Sequence, residues 1–237
     1  MANKAAWTAD AGGLETVERA TLQEQIYRQL RNRIMSGFFQ PGQALSTRSV
    51  AEAVGVSVMP VRDALRRLEV ENALVVGHNR ALEVPKLDPD TLTEITATRV
   101  ALEGLAVERA VPAVTASDVE ALRSRCEAMA QSIATGDVDR YLSGNWAFHA
   151  HIYRLASDGI LLSFIESLWL RMGPYFRMTA TDSRHLDNAM TIHHEIVEAL
   201  ERADMAAARS GIVADIEAAT HDLAEWLSRQ NKHEATV

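Results

Sequence analysis

The sequence has little that would fasten a chain covalently or carry it across a bilayer. Its 237 residues include one cysteine, Cys126, so no intramolecular disulfide can form, and the composition fits a reducing compartment such as the cytoplasm. No stretch approaches about 18 apolar residues without a charge, which excludes a membrane-spanning helix. With 12 glycines and 6 prolines the chain is not collagen-like, and with 47% hydrophobic residues it is not disordered. Residues 1–20 lack an apolar core and read as a short flexible arm rather than a secretory signal. HExxH, a coherent Ser-His-Asp order and a phosphate-cradling Gly loop are also missing, so no catalytic residues are assigned.

What is present is unevenly distributed. The net charge is −8, but residues 22–86 hold nine Arg and Lys against six acids, whereas residues 89–237 hold 13 against 22. This asymmetry predicts two domains with different partners, the mildly basic one suited to DNA. The expected organisation is an arm over 1–20, a DNA-binding domain over 21–87 and a second domain over 88–232.

Leu22, Ile26, Leu30 and Ile34 recur at intervals of four and predict a helix over 22–36, ended by Gly37. Pro41-Gly42 makes a turn. Ser46 caps a second helix, Thr47 to Val54, which stops at Gly55, and Ser57 caps a third running to about Glu71. Two β-prone runs then flank Gly77-His78-Asn79-Arg80 and predict a two-stranded wing. Three short helices with a wing form a winged helix-turn-helix, which lays its third helix in the major groove. Arg62 is suited to the acceptor pair of a guanine edge, Arg48 to a phosphate or a base, and Ser57 to a phosphate. A solvated face of Arg48, Arg62, Arg66 and Arg67 is the simpler alternative.

The stretch from Gly37 to Leu68 resembles the GntR family of bacterial regulators. The carrying residues are Pro41-Gly42, Leu45-Ser46, Arg48, Val50-Ala51, Val54-Gly55-Val56-Ser57 and the run Pro60-Val61-Arg62-Asp63-Ala64-Leu65-Arg66-Arg67-Leu68. The resemblance implies DNA contacts from Arg48, Ser57, Val58, Arg62, His78 and Asn79. It departs at Val58, where many relatives have Arg, and at Asn79, where Gly is common.

From Asp88-Pro89 onward only helices are read, over roughly 89–110, 116–135, 137–157, 160–178, 187–202 and 204–230, with a kink expected at Pro174. The fold class is therefore mainly α, a winged helix-turn-helix followed by an antiparallel helical bundle. Polar residues interrupt the apolar stripes: Arg99 among Leu92, Ile95, Leu102 and Ala106; Asn145 and His149 among Val138, Tyr141, Phe148 and Ile152; His193 beside Met190 and Val197; Asp215 between Ile212 and Ile216. Buried without partners, such groups would cost a few kcal/mol each, so they must meet each other, water, a metal or a ligand. Two histidines with oxygen ligands suit Zn²⁺-type chemistry, and a hydrogen-bonded polar core without metal is the alternative. His221, about 240° round the helix from Asp215, should point elsewhere, and His194 lies about 100° from His193. His151, His185 and His233 read as surface residues, and Trp169 as core.

Residues 89–230 resemble the FCD ligand-binding domain of the FadR subfamily of GntR regulators. The match is carried by Arg99, Leu102, Glu103, Asn145, Phe148, His149, His193, Ile196, Ala199, Asp204 and Asp215-Ile216. Many members hold a divalent metal with Asp or Asn and three His in a cavity that binds an organic acid. That implies Asn145, His149 and His193 as the first three ligands, with Asp215 where the fourth His is usual. Zinc is the first expectation, nickel or manganese the next. Arg99 is the implied anchor for a carboxylate effector, against an internal pair with Glu103 or Asp215. The resemblance thus predicts a cytoplasmic homodimer that binds a palindromic double-stranded operator, touches no membrane and represses a catabolic operon under a small organic acid. The alternatives are a metal-free regulator binding a larger acyl ligand and a metal-dependent enzyme fused to a DNA-binding module.

Overall fold

The computed structural model describes residues 22–77, 81–156 and 159–234, with side chains through Arg229. The first unit comprises α1 (Leu22–Met35), β1 (Ala44–Leu45), α2 (Thr47–Val54), α3 (Val58–Val70), β2 (Val75–Val76) and β3 (Leu82–Glu83). The local signals at α2 operate as expected. The Ser46 hydroxyl accepts from the Ser49 N–H at the start of α2, and Gly55 closes it with φ +70°, where a side chain would be strained. The face of α3 made by Val61, Ala64, Leu65 and Leu68 is buried against α1. Truncating one of these leucines to alanine costs about 2–5 kcal/mol in a typical core. The expected two-stranded wing is in fact a three-stranded antiparallel sheet of order β1-β3-β2. Ala44 pairs with Glu83 and Leu45 with Leu82, so the turn before α2 is stitched to the wing.

The remaining helices are α4 (Pro89–Ala110), α5 (Ala116–Thr135), α6 (Val138–Ala156), α7 (Ile160–Thr179), α8 (Ser183–Glu201) and α9 (Met205–Glu234), with a 3-10 turn at Val111–Ala113. Asp88 caps α4 by accepting from the Thr91 N–H, with Pro89 at the first helical position. Thr115 and Asp118 form a reciprocal capping box on α5. α8 begins four residues before the expected Asp187, because Asp182 caps it through the Arg184 N–H. α7 runs unbroken through Pro174. Against α9 pack α4 and α8; α5 joins α6 and α8; α4 also packs on α6. Among the described residues no helix is long and apolar enough to cross a membrane.

The winged unit is seated on the bundle through α1 and α7. Gly37 (φ +63°) and Gly173 meet at the crossing, where a Cβ on Gly173 would lie 2.5 Å from the carbonyl oxygens of Ile34 and Met35. Arg31 Nη2 donates to Glu166 at 2.7 Å, and the Arg177 guanidinium donates to the Gly37 carbonyl. The Tyr175 hydroxyl accepts from the Leu87 N–H at 2.5 Å and donates to the Pro85 carbonyl at 3.2 Å, tying down the segment between β3 and α4.

Candidate functional site

Helices α6, α8 and α9 each contribute one side chain to a buried cluster. His149, His193 and Asp215 offer ligand atoms that all lie within 4.8 Å of one another. Both histidines are fully buried, and the Asp215 side chain is 13% exposed. His149 Nε2 faces Asp215 Oδ2 at 3.3 Å, and His193 Nε2 faces Oδ1 of the same carboxylate at 3.3 Å. These approaches lack hydrogen-bond geometry: His149 Nε2 and both ring nitrogens of His193 are buried with no hydrogen-bond partner. Orphaned buried nitrogens are costly, and each needs a reason. A tetrahedral zinc site with bonds of about 2.0–2.1 Å has ligand atoms about 3.3–3.4 Å apart. The two 3.3 Å separations therefore suit a shared cation better than direct hydrogen bonds.

The electrostatics agree. Burial pushes the His149 imidazole down, against the opposing pull of Asp215, so it favours the neutral form that ligates metal. Burial alone would raise the Asp215 carboxyl, but positive charge on the facing imidazoles outweighs it and holds the carboxyl well below the usual carboxylate range; with those rings neutral, a shared cation would supply that charge. Phe148 stacks on His193 with centroids 4.6 Å apart and fixes that ring.

Beside the cluster lies a cavity of about 20 Å³ walled by Arg99, Asn145, Trp169, Phe176, Asn188 and Asp215, among others. It has room for about one water molecule. Asn145 thus reaches the same cavity as Asp215, although it is only half-buried. Of the partners weighed for it, Arg99 pairs with Glu103. Its Nε donates to Glu103 Oε1 at 2.6 Å, within a fully buried pair, while its Nη1 is left without a partner. Burial would lower the Arg99 pKa, but the Glu103 carboxylate more than offsets this, and the guanidinium stays charged. One N–H corner of that fork is therefore available to an anion.

Several residues around the cavity differ from expectation. His185 is not at the surface: its side chain is 11% exposed and lines the cavity, with Nδ1 2.5 Å from Asp222 Oδ2 and Nε2 3.3 Å from the Thr179 hydroxyl. The earlier start of α8 and the carboxylate of α9 put it there. With Asn188 it also lines an outer cavity of about 260 Å³, so these two residues border both cavities. His151 is also half-buried, 2.9 Å from Asp118. His221 is exposed beside Glu225, and His194 is exposed, as their helical angles require. The His233 side chain lies outside the described residues. Trp169 is core, but its Nε1 also donates to Glu103 Oε2 at 3.2 Å, and Tyr153 donates to the same oxygen at 2.5 Å. Neither role was assigned from sequence, although the Arg99/Glu103 and His149/Tyr153 pairs both sit four residues apart on one helix face, a legible spacing.

The other candidate surface is the free side of α2 and α3. Arg48 is 86% exposed, and its pair with Glu52 at 3.1 Å is a weak surface contact. Ser57 sits at the N-cap of α3, but its hydroxyl makes no capping bond. Val58, Met59 and Arg62 are exposed on the first turns of the same helix. Arg67 is removed from this set. It stacks 3.6 Å over the Tyr27 ring and pairs with Glu24 at 2.7 Å and Glu71 at 3.3 Å, so it holds α3 to α1. His78 and Asn79 lie outside the described residues.

Comparison with known proteins resolves the class. Residues 22–84 match the profile of bacterial regulatory proteins of the gntR family, and residues 94–218 match the FCD domain. The HTH-type transcriptional regulator McbR of Escherichia coli K12 is 33% identical over 194 residues, which span 81% of this chain and 88% of that one. The gluconate operon transcriptional repressor of Bacillus subtilis is 29% identical over 158 residues, 67% of this chain and 63% of that one. The solved structure of E. coli McbR/YncC superposes with a TM-score of 0.80 at 30% identity, covering 90% of this chain and all of that one. The chain belongs to the GntR family: it is a DNA-binding transcriptional regulator, not an enzyme, with a winged helix-turn-helix followed by an FCD effector-binding domain.

Proposed function

We propose that this regulator is a cytoplasmic repressor of the FadR subfamily that binds a palindromic operator as a homodimer and releases it in response to a small carboxylate held at a metal-bearing site. Residues 21–87 form the reading unit and residues 88–232 the effector and dimerisation unit. His149, His193 and Asp215 hold the divalent metal, zinc first, with Asn145 completing the set. A bound metal supplies Lewis-acid attraction for a carboxylate. Arg99 directs its unpaired Nη1 toward the same anion. Arg48, Ser57, Val58 and Arg62 reach the DNA, with His78 and Asn79 at the wing.

The observation that carries the metal reading is the pair of buried imidazole Nε2 atoms, both orphaned and both 3.3 Å from one carboxylate. The unpaired Nη1 of Arg99 at the cavity favours an anionic ligand. The likeness to an operon repressor supports the direction of control. A two-fold dimer would match the two half-sites of a palindrome, so the dimer and the palindrome are proposed together.

The test is elemental analysis of untagged, chelator-free protein beside His193→Ala, followed by operator binding under small carboxylates. Near-stoichiometric metal in the wild type, lost in the variant, and weaker DNA binding with one carboxylate are the expected results. A metal-free wild type whose operator affinity ignores every small carboxylate refutes the proposal.

A further inference from the structure

His149 has two ring nitrogens and two different neighbours. Nε2 faces Asp215, and Nδ1 lies 3.2 Å from the Tyr153 hydroxyl. That hydroxyl has one proton, and the geometry decides where it goes. Glu103 Oε2 is 2.5 Å away and is a carboxylate oxygen, the stronger acceptor, so Tyr153 donates to Glu103. Towards His149 the phenol oxygen can then only accept, which places a proton on Nδ1. A neutral imidazole protonated at Nδ1 keeps its lone pair on Nε2, the atom aimed at Asp215 and His193.

Glu103 is in turn held by four hydrogen bonds from three residues, besides its ordinary burial in α4. Oε1 accepts from Arg99 Nε at 2.6 Å, while Oε2 accepts from Tyr153, from Trp169 Nε1 at 3.2 Å and from Arg99 Nη2 at 3.4 Å. One buried carboxylate therefore orients the cation that lines the cavity and, through one hydroxyl, the histidine that faces the cluster. Helices α4, α6 and α7 meet in this network, and its residues are shielded from water: Arg99 is 2% exposed, Tyr153 and Trp169 1%, and Glu103 and His149 not at all.

We infer that Tyr153 and Glu103 are positioning residues, a relay that fixes the Nδ1–H form of His149 so that Nε2 is presented as a metal ligand, and that the same carboxylate sets Arg99. The inference rests on the metal-binding reading for its consequence, but the tautomer it assigns is a property of the chain alone. Outer partners of metal-bound histidines act in this way generally, and their loss typically weakens metal binding about 10–100-fold.

The test is Tyr153→Phe in the full-length protein, which keeps the ring and removes only the hydroxyl. Zinc affinity is measured against a chromophoric chelator, and the protonation of the His149 ring nitrogens is read by long-range nitrogen–proton NMR after metal stripping. The expected results are a proton on Nδ1 in the wild type, its loss from Nδ1 in the variant, and zinc binding about 10–100-fold weaker. A melting temperature of the stripped variant close to wild type separates positioning from a general loss of packing. An unprotonated Nδ1 in the wild type overturns the relay, as does zinc binding by Tyr153→Phe as tight as wild type. If the wild type binds no zinc at all, the metal reading falls and the His149 proton alone decides the relay. Should Tyr153→Phe fail to fold, the wild-type spectrum still decides it.

Discussion

Replacing Gly173 by alanine puts one methyl group into the crossing of α1 and α7. The new Cβ would lie 2.5 Å from the carbonyl oxygens of Ile34 and Met35 and 2.6 Å from Met35 Cα. Ordinary contact begins near 3.4 Å, so the helices must part by about 0.9 Å. All three obstacles are backbone atoms, which cannot rotate aside. Overpacking of this kind costs about 1–3 kcal/mol. Against it stands the gain of about 1 kcal/mol for alanine over glycine in a helix interior. With rigid obstacles the cost sits in the upper part of its range, leaving a net loss of about 1–2 kcal/mol, or a fall in Tm of about 2–8 °C. The assay is thermal unfolding together with operator binding by fluorescence anisotropy, since the methyl group unseats the winged unit. Gly144→Ala is the control. Its Cβ would meet the Met129 side chain at 2.8 Å, a flexible neighbour that can move, so its stability stays within about 1 kcal/mol of wild type. If Gly173→Ala melts higher than wild type and binds the operator unchanged, the crossing is not the close contact described.

The other predictions concern the two functional surfaces and one cap. Arg62→Ala binds the operator more weakly by about 1–3 kcal/mol, roughly 5- to 150-fold, and equal affinity in a gel shift refutes its base-reading role. Arg67→Ala instead lowers Tm with little effect on sequence preference, because its partners are Tyr27, Glu24 and Glu71. Chelation lowers the Tm of the wild type but not of His193→Ala. Metal at 100 times its dissociation constant contributes about 2.7 kcal/mol, and an unchanged wild-type melt removes the metal. The Asp118 carboxyl is held below its ordinary value of 3.8 by the Thr115 hydroxyl, the Thr115 N–H and His151. A depressed carboxyl stabilises the fold above its unfolded pKa and loses that contribution as pH falls through the folded value. Asp118→Asn should therefore be less stable than wild type at neutral pH, the gap shrinking below about pH 4; a constant gap contradicts this.

Which features were legible in the sequence follows from how local their causes are. α2 falls at its expected residues because Ser46 and Gly55 bracket it within the chain itself. α4 does so because Asp88-Pro89 is a self-contained start. β1 was invisible, since a two-residue strand has no periodicity and exists only through pairing with β3, nearly forty residues on. The site divides in the same way. Arg99, His149, His193 and Asp215 stood out because each is a polar residue on an apolar stripe. His185 did not, because what buries it is Asp222, 37 residues later on another helix. Tyr153 and Trp169 passed as core because an aromatic ring on an apolar stripe needs no explanation until its polar atom is seen to have a partner.

The ties between α7 and the winged unit have a consequence beyond stability. Arg31–Glu166, Arg177–Gly37 and the Tyr175 hydroxyl on Pro85 and Leu87 leave no free tether between reading unit and bundle. In the proposed dimer, the span between the two recognition helices then becomes a fixed dimension of the protein. Inserting one base pair between half-sites moves the second by about 3.4 Å and turns it by about 35°. A loosely strung pair of heads would follow that displacement; heads bolted to α7 cannot. Such a regulator selects its operator by length as well as by letters.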